Sequence, residues 1–382
     1  MRRASTRPAA ARASAAGPIL FVTGHAPAYR VGALARLHEQ EGIDLALFGG
    51  RSAHGGPGFE GTMPFPHRHV PPRRLGALAA SGDYRAVVCP TGGRLAPLAS
   101  WSGARRARVP LILWASLWAH PHSLPHAFTY LPLRRLYRSA DGVVTYGPHV
   151  SAYVRARGAR NVHVAPQAVD NEFWSSSEVA APRERAWPSD AEVRFLFVGR
   201  PEREKGLDVL ARAWRATELA PQRAALVLAG VEQNLAALAP DGPRRRGDAG
   251  IVGLGRLDRV ELRNVYAAAD VLVLPSIATR TFREPWGLVI NEAMNRGLPV
   301  IASDAVGAAA GGLVRNEANG LVVPAGDSDA LGQAILRLAE DRQLRERLGA
   351  QAARDVRSYD YEAWAAGFSA ALDQLNLSRG RC

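Results

Sequence analysis

The stretch Arg283-Glu284-Pro285-Trp286-Gly287-Leu288-Val289-Ile290-Asn291-Glu292-Ala293-Met294-Asn295-Arg296-Gly297-Leu298-Pro299-Val300-Ile301-Ala302-Ser303-Asp304 decides the fold. An apolar run, Val271 to Leu274, precedes it and Val300 to Ala302 closes it; between them Leu288 to Asn295 has helical spacing, stopped by Gly297-Leu298-Pro299. Strand, loop, helix and strand make a βαβ unit, whose right-handed crossover opens loop and helix start at the carboxyl edge of a parallel sheet, where α/β folds take ligands. Glu284 falls in that loop. Gly287 is expected as the first or second helical residue, so the N–H groups of Gly287 and Leu288 lack helical acceptors and, with the helix dipole behind them, suit a phosphate. Glu292 follows on the second turn. Two carboxylates would repel an anion they faced, which leaves them to accept hydrogen bonds from neutral hydroxyls on either side of it, a sugar on one and a ribose on the other.

The block resembles the retaining GT-B glycosyltransferases of sequence family four, whose hallmark is a Glu, seven residues and a second Glu. Glu284 and Glu292 match it, as do Glu-Pro-Trp-Gly-Leu, Asn-Glu-Ala-Met and Gly-Leu-Pro-Val-Ile-Ala-Ser-Asp around them. The resemblance implies two Rossmann-like domains with parallel sheets facing a cleft, a nucleotide-sugar donor held mainly by the second, and transfer to an acceptor hydroxyl with retention.

Composition bounds the rest. At 382 residues there is room for two domains, and 47% hydrophobic with 22% charged residues is ordinary for a soluble globular protein. No apolar run reaches the length of a membrane span. Residues 1–17 are rich in Ala and Arg without an apolar core, which reads as a disordered leader rather than a secretory signal. Cys89 and Cys382 are too few for a disulfide framework or a zinc site, so a reducing cytoplasm is the simplest location. The net charge of +13 favours polyanions, whether nucleic acid, an anionic membrane face or phosphorylated substrates. No nucleic-acid-binding signature accompanies it. Lys and Arg together number 48, and Lys205 is the only lysine, leaving 47 arginines. A compact ammonium suits a place where a point charge must reach a phosphate.

In chain order, Ile19 to Val22 followed by Thr23-Gly24-His25 reads as a first strand and its loop, and Gly32 to Glu41 as a helix. No GxGxxG fingerprint appears, against a dinucleotide dehydrogenase. Apolar runs at Leu45–Phe48, Ala86–Cys89, Leu111–Trp114, Gly142–Thr145 and Val162–Ala165 complete a first domain over 18–173. The loop Trp114 to Ser123 follows one of them and contains His120; the resemblance gives a His in this loop contact with the transferred sugar, and an ordinary loop histidine fits as well. His120, His122 and His126 do not read as a metal site, because Pro121 and Pro125 break any helical ligand face. Leu124 to Arg138 mixes aromatic, apolar and Arg residues; it fits a helix packed on the sheet with a solvated Arg face, or a segment lying on anionic lipid.

Residues 174–192 read as the linker and 193–360 as the second domain. Val193 to Val198 is a buried strand, after which Gly199 permits a tight turn and Arg200 and Lys205 converge on one anion. By resemblance these bind the donor diphosphate, Ala225–Gly230 and Ile251–Gly255 frame the base, and Gly24 joins the donor contacts. Asp327-Ser328-Asp329 imitates a metal-binding Asp-x-Asp but precedes an amphipathic run, so it reads as a helix N-cap and no metal cofactor is expected. Residues 361–382 hold a final helix that in GT-B proteins crosses back onto the first domain. The expected partners are a nucleotide-sugar donor, a glycan, lipid or small-molecule acceptor, and an anionic membrane face. Two rivals stay open: another GT-B enzyme such as an epimerase or phosphorylase, and a non-catalytic nucleotide-sugar-binding protein.

Overall fold

A computed structural model describes residues 17–49, 63–93, 95–178, 187–232 and 250–379. Residues 1–16 of the expected leader and Cys382 lie outside them. In the first half the strands are β1 (Ile19–Thr23), β2 (Ile43–Leu47), β3 (His67–His69), β4 (Ala86–Pro90), β5 (Leu111–Ala115), β6 (Gly142–Thr145) and β7 (Val162–Val164). Between them run α1 (Ala28–Glu41), α2 (Leu75–Ala79), α3 (Ala96–Ala107), α4 (Leu124–Ser139) and α5 (Pro148–Arg155), with α6 (Asn171–Ser175) leading out. The second half has β8 (Val193–Val198), β9 (Ala224–Ala229), β10 (Ile251–Gly255), β11 (Val271–Leu274), β12 (Val300–Ser303) and β13 (Gly320–Val323). Its helices are α7 (Leu207–Ala216), α8 (Arg259–Ala268), α9 (Val289–Asn295), α10 (Gly307–Ala310), α11 (Ser328–Glu340) and α12 (Arg342–Asp355), and α13 (Tyr361–Asp373) follows.

Both sheets are parallel throughout, in the orders β3-β2-β1-β4-β5-β6-β7 and β10-β9-β8-β11-β12-β13. Strands such as β5, β9 and β11 are apolar and buried along their whole length because helices cover both faces. The edges of the first sheet differ: β7 is only partly buried, and β3, His-Arg-His, is exposed, has no apolar run, and is passed over by sequence reading.

Strand order also locates the ligand crevice of the second half. β8 pairs with β9 on one side and β11 on the other, so the chain reverses direction between β8 and β11 and their following loops diverge to opposite faces. The loop after β8 carries Gly199 to Lys205, and the loop after β11 carries Ser276 to Glu284.

Ala168 packs in a core of the first half and Val169 in one of the second, where Trp174 of α6 joins it. α13 returns: Trp364 and Phe368 pack against Phe21 and Trp114. Asp327 caps α11, its carboxylate accepting from the N–H groups of Asp329 and Ala330 at 3.0 and 2.9 Å. Two helix starts differ from expectation: α1 begins at Ala28, a turn before Gly32, and the helix of the Glu284 block begins later than Gly287. The helix after Glu284 begins at Val289, with Leu288 as its cap, and Gly287 stands outside it at φ 92°, a left-handed conformation that a Cβ would strain and that brings it against Leu274.

Candidate functional site

Lys205 ends a short 3-10 turn, Arg203–Lys205, rather than heading α7. Gly206 after it takes φ 69°, and its missing Cβ would stand 2.1 Å from the Pro275 carbonyl oxygen, so only glycine lets the two loops meet this closely. Ile277 N–H donates to the Glu204 carbonyl at 2.9 Å and fastens them. The outcome is a pair: Lys205 Nζ donates to Glu284 Oε2 at 2.5 Å, and Ser276 Oγ lies 3.4 Å from the same oxygen. Glu284 is 7% exposed. An ammonium and a carboxylate shielded this far from water are held by each other, and an incoming anion would compete for the lysine. Arg200 forms an ion pair with Glu202 beside them.

The backbone of Glu284 and Pro285 is gripped from the first half. Trp118 Nε1 donates to the Glu284 carbonyl at 3.2 Å, and His149 Nε2 to the Pro285 carbonyl at 3.3 Å. The His149 ring lies between Trp118 and Trp286, with centroids 5.2 and 6.1 Å away, and burial pushes its pKa down, so at neutral pH it is an uncharged donor at Nε2. Trp286 Nε1 donates to Asn291 Oδ1 at 2.8 Å, and Asn291 Nδ2 to the carbonyl of Gln167 in the first half at 2.9 Å. Gln167 in turn accepts from Arg30 at 2.6 Å.

Glu292 projects from α9, with Tyr266 donating to its carboxylate at 2.8 Å. Burial pushes its pKa up to about 7, against the lowering effects of that hydrogen bond and of Arg259. The N–H groups of Gly287 and Leu288 meet no protein acceptor among the described residues. That availability arises from the glycine turn before α9, not from the first turn of a long helix.

His120 lies in a small cavity of about 150 Å³ between the halves, whose wall includes His122, Arg280, Arg283 and Pro285. Its Nε2 donates to the His126 carbonyl at 2.9 Å, and its Nδ1 lies 3.4 Å from the Tyr153 hydroxyl, so both ring nitrogens are engaged. Gly24, at the end of β1, accepts from Gly49 N–H at 2.7 Å. Sequence reading thus named Lys205, Glu284 and Glu292, and passed over Trp118, His149, Ser276 and Tyr266. His149 follows β6 at the carboxyl edge, a position that the strand-end rule marks without any motif.

Residues 192–341 match the family model Glycosyl transferases group 1. The chain is 38% identical over 161 residues to a D-inositol 3-phosphate glycosyltransferase of Stackebrandtia nassauensis, covering 38% of this chain and 34% of that one. It is 31% identical over 213 residues to a GDP-mannose-dependent alpha-mannosyltransferase of Mycobacterium tuberculosis, covering 53% and 51%. These curated relatives are matched over about a third to a half of their length. Among solved structures, Anabaena HepE in complex with UDP superposes with a TM-score of 0.71 at 19% identity, covering 94% of this chain and 100% of that one. Sucrose-phosphate synthase from Thermosynechococcus elongatus gives 0.69 at 22% identity, over 94% and 99%. The fold is GT-B, and its second half carries a glycosyl transferases group 1 domain.

Proposed function

We propose that the chain transfers a glycosyl group from a nucleoside-diphosphate sugar to an acceptor hydroxyl with retention and without a metal. The observation that carries this reading is the Lys205–Glu284 pair at the β8–β11 crevice, with Glu292 on the helix that follows. Lys205 exchanges Glu284 for the diphosphate, which frees the carboxylate to accept hydrogen bonds from the sugar hydroxyls. Arg200 and the Gly287 and Leu288 amides add to the positive field. Glu292 takes the ribose hydroxyls, and His120 borders the transferred sugar.

In the reaction the bond from the anomeric carbon to the leaving phosphate oxygen breaks, and the acceptor oxygen bonds to that carbon on the same face. The acceptor proton passes to the leaving phosphate oxygen. Negative charge on that phosphate is greatest as the bond breaks, so fixed cations and amides lower the barrier more than they tighten ground-state binding. This is the service a metal would otherwise give.

The resemblance of the second half to transferases acting on nucleotide-linked sugars supports the donor class, and a glycan, lipid or small molecule bearing a free hydroxyl is the acceptor class. The test pairs a thermal-shift screen of nucleoside diphosphates with product analysis of the matching nucleotide sugar. Diphosphate release and a product keeping the donor's anomeric configuration are expected; an inverted product, or binding without any donor turnover, would sink the reading.

A further inference from the structure

The first half carries a charge distribution that the proposed chemistry does not use. Residues 85–169 hold eleven arginines and one acidic residue, Asp141, whose carboxylate accepts from the backbone N–H of Leu111. No helix among the described residues is long and apolar enough to cross a membrane.

α3 and α4 lie side by side on one face of the first sheet, because the β4-to-β5 and β5-to-β6 crossovers step in the same direction with the same hand. Trp101 Nε1 of α3 donates to Ser139 Oγ of α4 at 2.9 Å and ties them. Each turns a similar stripe outward. On α4, Phe128, Leu131, Arg135 and Arg138 recur at helical spacing and are all exposed, while Leu136 and Tyr137 face the core. Along α3 the exposed residues include Leu95 at its cap, Leu98, Arg105 and Arg106. Phe128 is 81% and Leu131 68% exposed, unusual for side chains of that size, and neither helix holds an acidic residue. A groove of about 710 Å³ runs between the helices past Leu98, Trp101, Leu131, Arg135 and Arg138.

We propose that the outward face of α3 and α4 docks on an anionic lipid bilayer, with Phe128, Leu131, Leu95 and Leu98 entering the acyl boundary and the arginines on lipid phosphates. Charge complementarity selects the occupant's sign: arginines without acidic neighbours match a phosphate plane. The apolar part separates lipid from nucleic acid. Three of the four exposed apolar side chains are leucines, which bury in hydrocarbon, whereas single strands are held by stacking on aromatic planes. Polarity gives the orientation. Both helices start at the carboxyl edge of the sheet, so the N-terminal halves that carry these apolar side chains lie toward the cleft side and the bilayer meets the protein beside the cleft.

The test is co-sedimentation with phosphatidylglycerol-containing vesicles and with pure phosphatidylcholine vesicles, at low and raised salt. Binding to the anionic vesicles alone, weakened by salt, is expected. Phe128→Asp combined with Leu131→Asp lowers the partition coefficient about tenfold. Arg135→Gln and Arg138→Gln lower it about fivefold each. Arg342→Gln, an equal change of charge on an exposed second-half helix, leaves it unchanged. All five positions are exposed, and unchanged melting temperatures confirm that the fold is kept. Equal binding to neutral vesicles, or wild-type partition of the Phe128/Leu131 variant, overturns the proposal. Retention of single-stranded RNA with no vesicle binding assigns the surface to nucleic acid and overturns it as well.

Discussion

At the edge of the second sheet, Lys205 and Glu284 meet side chain to side chain as a shielded charged pair. At the facing edge of the first sheet, Trp118 and His149 reach the same segment through its backbone carbonyls, with neutral donors and ring contacts. One edge holds groups whose charge a ligand can redistribute; the other fixes where the chain carrying them stands. The two edges should therefore fail differently when altered, one in binding and rate together, the other in rate.

The largest effect is expected at Lys205. Lys205→Ala should lower turnover on the order of a hundredfold and nucleoside-diphosphate affinity on the order of tenfold, measured by steady-state kinetics and calorimetry. Lys205→Arg restores charge with a different reach, so affinity should recover more than turnover. Wild-type affinity and rate in a folded Lys205→Ala protein would move the diphosphate away from this loop and dissolve the contrast.

Next comes the grip of the first half. Trp118→Phe with His149→Leu removes two donors while keeping most of the packing. At about 1 kcal/mol for each of the two hydrogen bonds, turnover should fall roughly thirtyfold with free-nucleotide affinity unchanged. A fall in nucleotide affinity as large as that of Lys205→Ala would show that the two edges are not separable.

Glu292 gives a smaller, pH-dependent effect. Its folded pKa is raised to about 7, so between the ordinary carboxylate range and that value the folded state binds more protons than the unfolded chain. Its contribution is thus fully present at low pH and is lost as pH rises through this window. Melting temperatures of wild type and Glu292→Gln from about pH 4 to about pH 8 should differ in slope, the variant being flatter; parallel curves would refute the assignment.

The smallest effect is at Asp327, away from both edges. Asp327→Ala should cost about 1 kcal/mol of stability through the lost cap. Turnover of wild type and variant in excess chelator should be equal to that without it. A loss restored by manganese would count against metal-free chemistry.

How much of this was legible follows the same division. The strands announce themselves as apolar runs, and Lys205 and Glu284 stand out because charged residues beside strand ends need a partner or a ligand. What the residues cannot announce is pairing at a distance. Glu284 and Lys205 are 79 positions apart, and their contact depends on β8 and β11 being neighbours. Trp118 and His149 act on carbonyls, which every residue has, so no pattern in side-chain type marks their targets. Gly287 was read as a helical residue because glycine in an apolar, helically spaced run says nothing of its φ; only the packing against Leu274 shows the turn.

The chain passes between its halves twice, at Ala168–Val169 and again between Tyr359 and Tyr361. The two passages lie together, Asn171 Nδ2 standing 3.4 Å from the Val356 carbonyl oxygen. A body joined to another by a single thread can swing, twist and slide, but two threads at neighbouring points behave like the paired pins of a door. Swinging about the line between them stays soft, while twisting and sliding require both passages to deform at once. With twisting and sliding held stiff in this way, Trp118 and His149 meet the Glu284 and Pro285 carbonyls in one register, set by the frame of the two passages.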